Sequence, residues 1–138
     1  MKFTAQSVDN LNIPIQYLRS IISNLDKGII LFMGEMGAGK TTFIRKLIES
    51  FNSRIIANSP TYNIMNQYKI SDKLIFYHFD LFRIKSSIQS GDHEFDDIWG
   101  KMGISLIEWG EFAIDYFPYI TSTVSITVEN NIRNIEIK

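Results

Sequence analysis

The sequence predicts an α/β fold in which helices flank a mixed β-sheet and the chain ends in an antiparallel hairpin. Residues 28–33 are apolar without alternation, which is typical of a strand buried on both faces. Apolar residues at helical spacing lie before and after that strand. Residues 124–137 alternate in hydrophobicity around Asn130-Asn131, which indicates a hairpin with a tight turn.

Short-range patterns predict the amino-terminal elements. Residues 2–7 fit a short strand, and Asn10 is expected to cap a helix over 11–25, because apolar residues recur there at steps of three and four. The strand at 28–33 comes next. After a glycine-rich segment, a second helix is indicated by an apolar stripe of Phe43, Ile44, Leu47, Ile48 and Phe51.

The elements between this helix and the hairpin are shorter. We expect strands over 54–58, 63–70, 73–79 and 104–109, and helices within 85–100 and over 111–117. Ser71-Asp72 supplies the turn between two of these strands, and Pro118 ends the last helix. Strands interleaved with helices, followed by antiparallel strands, favour the mixed sheet.

Composition limits the class of protein. The chain has 138 residues, which predicts one domain over 1–138 with a single core. Its net charge of -1 gives no global positive field for nucleic acid, and the lack of cysteine excludes disulfides and thiolate-bound zinc. Residues 1–10 have no apolar h-region, so a signal peptide is not expected there, and no apolar run approaches the ~20 residues of a membrane span. A cytoplasmic location is expected.

The glycine-rich segment Gly34–Thr41, GEMGAGKT, fits the phosphate-loop pattern G-x-x-x-x-G-K-[ST] in full. It lies between a buried strand and an amphipathic helix, which is the context the motif requires. We expect Lys40 to neutralise the β- and γ-phosphates and Thr41 to bind Mg²⁺. The predicted nucleotide-binding residues are Glu35, Met36, Gly37, Ala38, Gly39, Lys40, Thr41 and Thr42. A small single-domain P-loop NTPase that binds ATP and Mg²⁺ is therefore predicted.

Two acidic residues are candidates to complete the site, because each follows a buried strand. Ligands of α/β sheets bind outside the carboxyl ends of strands, beside the phosphate loop. We assign Asp80 to Mg²⁺, and Glu108 to the metal shell or to the attacking water. The alternatives are a helix cap or surface strand end for Asp80 and a salt bridge at a strand terminus for Glu108.

Several other residues have an open or minor role. Thr61 is a candidate catalytic switch residue that senses the γ-phosphate, or its hydroxyl stabilises its own turn. Trp109 is either structural or faces the nucleotide. His78 is interpreted as a satisfied histidine on a half-buried strand, and His93 as part of a solvated acidic face.

The D-x-x-G sequence at 97–100 follows no apolar strand, and no N-K-x-D motif is present, so a GTPase is disfavoured.

Four motifs together resemble the TsaE (YjeE) family, bacterial ATPases of tRNA threonylcarbamoyladenosine biosynthesis. They are GEMGAGKTTF at 34–43, SPTY at 59–62, HFDLFR at 78–83 and LIEW at 106–109. The resemblance covers roughly residues 28–110. Tyr62 and Phe82 are mild departures from the family pattern, and a threonine common near Leu11 is missing, so no adenine contact is assigned there.

The resemblance implies a small P-loop fold that binds ATP and Mg²⁺ and hydrolyses ATP slowly. It also implies TsaD-like and TsaB-like partner proteins, through which the chain reaches tRNA, and work away from a membrane. By motif match, Lys40 and Thr41 would hold phosphate and metal, and Thr61 would be the switch residue. Asp80 and Glu108 would form the acidic pair beside a functional aromatic, Trp109.

Two other functions stay open at this point. A small-molecule or nucleotide kinase shares the phosphate loop but usually adds an arginine-bearing lid, whereas this chain has five arginines and no large insertion. A binding module would hold ATP as a structural ligand without cleaving it. Phosphorylation of an acceptor would indicate the first, and a lack of turnover would indicate the second.

Overall fold

A computed structural model describes residues 1–58, 64–89 and 95–138, and these residues form an α/β fold around one sheet. The strands are β1 Lys2–Ala5, β2 Gly28–Met33, β3 Met65–Lys69, β4 Ile75–Asp80, β5 Ile104–Glu108, β6 Ser122–Glu129 and β7 Ile132–Ile137. The α-helices are α1 Asn12–Ile22, α2 Lys40–Phe51 and α3 Lys85–Gln89. Three 3₁₀ helices span Val8–Leu11, Leu81–Ile84 and Gly110–Tyr116.

The sheet has the order β1-β7-β6-β2-β5-β4-β3 and is mixed, as predicted. Its centre is parallel, because β2 pairs in parallel with β5 and β6, and β4 pairs in parallel with β5. Both sides end in antiparallel pairs, β3 with β4 on one side and β7 with β6 and β1 on the other. The predicted terminal hairpin is confirmed, and Asn130 and Asn131 turn it with positive φ angles of 50° and 62°.

Two layers of apolar side chains cover the sheet. Ile30 and Phe32 of β2 pack with α1 and α2, whereas Ile29 and Leu31 pack on the opposite face with Trp99. The strand is buried on both faces, which explains its lack of alternation. Among the described residues, no helix is long and apolar enough to cross a membrane.

The expected cap and end of the first helix were wrong. The Val8–Leu11 turn precedes α1, and its N-cap is Ser7. The Asn10 side chain points back instead, where its Oδ1 accepts a hydrogen bond from the Ser7 N–H at 3.2 Å. The helix ends at Ile22, and the chain then turns through hydrogen bonds from Asn24 and Leu25 to the carbonyls of its last turn.

The strand expected over 54–58 was also wrong. This segment lies in none of the strands, and side chains bond part of its backbone. Arg45 Nε donates to the carbonyl of Ala57 at 2.8 Å, and the Tyr68 hydroxyl donates to the carbonyl of Asn58 at 2.8 Å. These bonds satisfy backbone carbonyls without a sheet ladder, so the apolar residues of the segment do not require a strand.

Candidate phosphate-binding site

The candidate site lies where β2, β4 and β5 end and α2 begins. A cavity of about 460 Å³ opens there. It is lined by Met36, Gly37, Gly39, Lys40, Thr41, Thr42, Asp80, Phe82, Arg83, Glu108, Trp109 and Arg133. The cavity therefore brings together most of the residues that the sequence predicted for the site, from the ends of β4 and β5, the phosphate loop and the start of α2. Thr61 lies outside the described residues, as does His93.

The phosphate loop connects β2 to α2 in a tight turn. Gly34 has a φ of 149°, and a Cβ added to it would lie 2.4 Å from the carbonyl oxygen of Ile126 in β6. Gly39, with a φ of 107°, is the N-cap of α2. Both positions require glycine, because a side chain would be strained or would collide with the backbone of β6. The first N–H groups of α2 are left without helical partners at the cavity, which favours an anion.

Lys40 is nearly buried at the base of the cavity, with 5% of its surface exposed. Its Nζ donates to the carbonyls of Gly34 at 2.6 Å and Glu35 at 3.0 Å, and lies 4.1 Å from the centroid of the Trp109 ring. Burial lowers the pKa of Lys40, and the negative charges of nearby carboxylates, first that of Glu108, oppose this shift. Trp109 therefore covers the lysine that the phosphate loop supplies.

An aromatic cluster surrounds Trp109 at the rim of the cavity. The Trp109 ring is stacked on Phe112 with the centroids 5.9 Å apart, and its centroid is 5.1 Å from that of Phe82. Trp109 itself has a left-handed backbone, with a φ of 62°. Trp109 follows Glu108, the last residue of β5, and its conformation turns the chain into the Gly110–Tyr116 helix.

The two predicted acidic residues are neighbours, because Asp80 and Glu108 are register partners on β4 and β5. Glu108 is 4% exposed, and its Oε1 accepts a hydrogen bond from the Thr41 hydroxyl at 2.7 Å. Asp80 is partly buried, and its Oδ1 accepts from the Phe82 N–H at 3.2 Å, which caps the helix after β4. The structure thus brings Glu108, rather than Asp80, into contact with Thr41.

The residues present fit magnesium. Thr41, Glu108 and Asp80 offer one hydroxyl and two carboxylates, and Mg²⁺ prefers oxygen ligands. Within the described ranges, no cluster of three or more histidines and acidic residues forms a cage for a metal ion. Proteins usually hold Mg²⁺ with one or two carboxylates together with substrate phosphates, and this donor set agrees with that pattern.

His78 and Arg133 contact predicted site residues and were missed by the sequence interpretation. His78, which was expected on a half-buried strand, is fully buried, and its Nε2 lies 2.7 Å from Glu108 Oε2. Its position two residues before Asp80 on one strand was an available signal, because alternate residues share a face. Arg133 of β7 donates from Nε to the Ala38 carbonyl at 3.0 Å. No local pattern marks Arg133, because only the folded hairpin brings it to the loop.

Asp80→Asn is expected to stabilise the protein at neutral pH. Burial, followed by the charge of Glu108, raises the pKa of Asp80 above its usual value, while the Phe82 N–H opposes the shift. The folded state then holds the proton more tightly than the unfolded chain, so the free energy of unfolding falls as pH rises from about 4 through the raised pKa. Asparagine cannot titrate and avoids this loss.

The measurement is the melting temperature of wild type and Asp80→Asn between pH 4 and pH 8. The variant should melt at the same temperature as wild type near pH 4 and a few degrees higher at pH 7, because the side chain is only partly buried. Asp115→Asn, at an exposed position, is the matched control and should show no such divergence. A variant that melts lower than wild type at pH 7 would contradict the prediction.

Comparison with known proteins indicates the family of this chain. Residues 7–135 match the family model described as threonylcarbamoyl adenosine biosynthesis protein TsaE. A Haemophilus influenzae protein of that name is 34% identical over 113 residues, which cover 81% of this chain and 71% of the relative. A Rickettsia felis protein of the same name is 42% identical over 107 residues, which cover 74% of this chain and 60% of the relative.

A solved structure is also similar in fold. The crystal structure of YdiB from Bacillus subtilis aligns with a TM-score of 0.72 at 20% sequence identity. The alignment covers 98% of this chain and 82% of that protein. At this identity the similarity supports the fold alone.

Proposed function

We infer the function from one premise, which is that this chain belongs to the TsaE family of threonylcarbamoyl adenosine biosynthesis proteins. We propose that it binds ATP with Mg²⁺ and hydrolyses the ATP slowly as part of the machinery that makes threonylcarbamoyladenosine in tRNA. One observation carries the enzymatic part. The hydroxyl of the phosphate-loop Thr41 donates to Glu108 at 2.7 Å, which places a strand-end carboxylate at the predicted phosphate site.

The residues divide the work of binding. Lys40 exchanges its bonds to the loop carbonyls for the β- and γ-phosphate oxygens, while the amides of the loop and the start of α2 bind the remaining oxygens. Thr41 and Glu108 would hold Mg²⁺. When bound, the metal ion offsets the negative charge that develops on the phosphoryl oxygens. Glu35, Met36, Gly37, Ala38 and Gly39 complete the loop, and Thr42 follows in the first turn of α2. Trp109 covers Lys40.

Asp80 orients the attacking water or accepts a proton from it. This proposal moves Asp80 from the metal to the water and keeps the metal-shell alternative for Glu108, because Glu108 rather than Asp80 contacts Thr41. The raised pKa of Asp80 suits a group that receives a proton. Thr61 remains a proposed switch residue on the strength of its SPTY motif alone.

We also propose that the chain acts on a complex of TsaD-like and TsaB-like proteins in the cytoplasm. The support is family membership and the resemblance of the motifs. The net charge of -1 agrees with a protein that reaches tRNA through partners instead of its own basic surface.

The test is ADP release by the purified chain, with and without Mg²⁺ and with and without the two partner proteins. We expect slow, Mg²⁺-dependent turnover that rises when both partners are present. A folded chain with no affinity for any Mg²⁺-nucleotide in calorimetry would overturn the ATPase assignment. Turnover that neither partner changes would overturn the coupling, and phosphorylation of an added nucleoside or coenzyme precursor would favour a kinase.

A further inference from the structure

His78 is a buried, chemically active side chain that the proposed function does not use. It has no exposed surface, and its Nε2 lies 2.7 Å from Oε2 of Glu108. A carboxylate only accepts hydrogen bonds, so the proton of this contact is on the histidine Nε2. The imidazole therefore donates to the acidic group that also contacts Thr41.

The sheet explains why this histidine reaches Glu108. His78 is the register partner of Leu106 on β5, and Glu108 follows two residues later on the same strand face. Diagonal neighbours of this kind lie within reach of long side chains. Leu106 belongs to the apolar layer of α1 and α2, so His78 lies on the face of the sheet that carries the phosphate-loop helix.

The carboxylate of Glu108 is thus held at both oxygens. Thr41 donates to Oε1 at 2.7 Å, and His78 Nε2 lies 2.7 Å from Oε2. The first contact comes from the phosphate-loop motif. The second comes from the interior of the sheet, where a fully buried side chain has little freedom to move.

Packing alone does not explain a histidine at this position. In the part of the chain that the structure describes, its Nδ1 is buried without a hydrogen-bond partner. A buried polar atom without a partner costs stability, and an apolar residue would fill the layer without that cost. The bond from Nε2 to Glu108 is the contact that offsets it.

We propose that His78 is a positioning residue, which fixes the Glu108 carboxylate so that Oε1 faces Thr41 and the metal position. The proposal rests on the proposed Mg²⁺-nucleotide function. Partners that orient a metal ligand typically change metal affinity or activity by about 10–100-fold when they are removed. The effect should therefore appear in the Mg²⁺-dependent part of nucleotide binding and in turnover.

The test compares His78→Leu, which removes the donor, with His78→Gln, whose amide nitrogen can replace Nε2. Calorimetry measures ADP affinity in excess Mg²⁺ and in EDTA, and a steady-state assay measures kcat. For His78→Leu we expect unchanged affinity in EDTA, and a loss of about 10–100-fold in kcat and in the Mg²⁺-dependent gain of affinity. His78→Gln should recover most of both. A folded His78→Leu variant with the kcat and the Mg²⁺-dependent affinity of wild type would overturn the proposal.

A second measurement needs no variant at position 78. The chain has two histidines, so ¹⁵N-labelled wild type and a His93→Asn variant assign the ring signals of His78 directly. We expect a protonated Nε2 whose signal shifts in a Glu108→Gln variant. A neutral ring protonated at Nδ1 would overturn the proposal, because its Nε2 could not donate to Glu108.

The two hypotheses fail differently. Wild type without affinity for any Mg²⁺-nucleotide would overturn the proposed function and, with it, the role of His78. Wild type that binds and hydrolyses Mg²⁺-ATP, beside a His78→Leu variant with the same metal dependence, would overturn only the role of His78.

Discussion

Glu108→Gln is expected to slow ATP hydrolysis by about 10²–10³-fold, equivalent to roughly 3–4 kcal/mol of transition-state stabilisation. The change keeps the shape of the side chain and an oxygen that can accept from Thr41, but removes the negative charge. A carboxylate binds Mg²⁺ far better than an amide, and the metal supplies several kcal/mol in phosphoryl transfer. Nucleotide affinity measured in EDTA should not fall, because no direct contact of Glu108 with phosphate is proposed.

The controls separate the charge from its position. Glu136→Gln makes the same chemical change at a surface residue of β7 that does not line the cavity, and should leave turnover close to wild type. Asp80→Asn should lower kcat as well, but with the Mg²⁺ dependence of ADP affinity largely kept. If Glu108→Gln retained this dependence and Asp80→Asn lost it, the original assignment of Asp80 to Mg²⁺ would be restored.

The parts of the site that the sequence predicted all have local signals. The phosphate loop is contiguous, and its turn, its lysine and its hydroxyl follow from eight successive residues. Asp80 and Glu108 were selected because each ends a buried strand, and parallel neighbours bring such ends together. The fold class was also predicted from local patterns. β2 is apolar without alternation, which indicates a strand buried on both faces, whereas hydrophobicity alternates along the terminal hairpin.

The parts that were missed depend on contacts between distant segments. Arg133 meets Ala38 only because β7 lies two strands from β2 in the folded sheet. The proposed division of roles between Asp80 and Glu108 depends on which side chain the Thr41 hydroxyl contacts, and side-chain geometry sets that contact. The sequence of 54–58 predicts a strand because its apolar residues form a local pattern. Its hydrogen bonds to Arg45 and Tyr68, which lie elsewhere in the sequence, leave no trace in that pattern.

Lys40→Ala is expected to weaken ATP binding by about 10²–10³-fold. A hydrogen bond to a charged group contributes roughly 1.5–3 kcal/mol, and the Lys40 ammonium can donate more than one such bond to phosphate. The loss should appear in the presence and in the absence of Mg²⁺, unlike that of Glu108→Gln. Calorimetry with ATP in Mg²⁺ and in EDTA measures the difference. Lys73→Ala, in the exposed turn before β4 and thus at the opposite end of that strand from Asp80, is the control and should bind normally.

The same variant should fold as well as wild type. Lys40 is desolvated in the absence of phosphate, and burial lowers its pKa, so the folded protein carries this ammonium at a cost. Alanine removes that cost, and the freed space opens onto the cavity, where water can bond the carbonyls of Gly34 and Glu35. A melting temperature that is equal or higher, together with lost ATP binding, would show that Lys40 is retained for the ligand. Wild-type affinity in Lys40→Ala would mean that phosphate binds elsewhere.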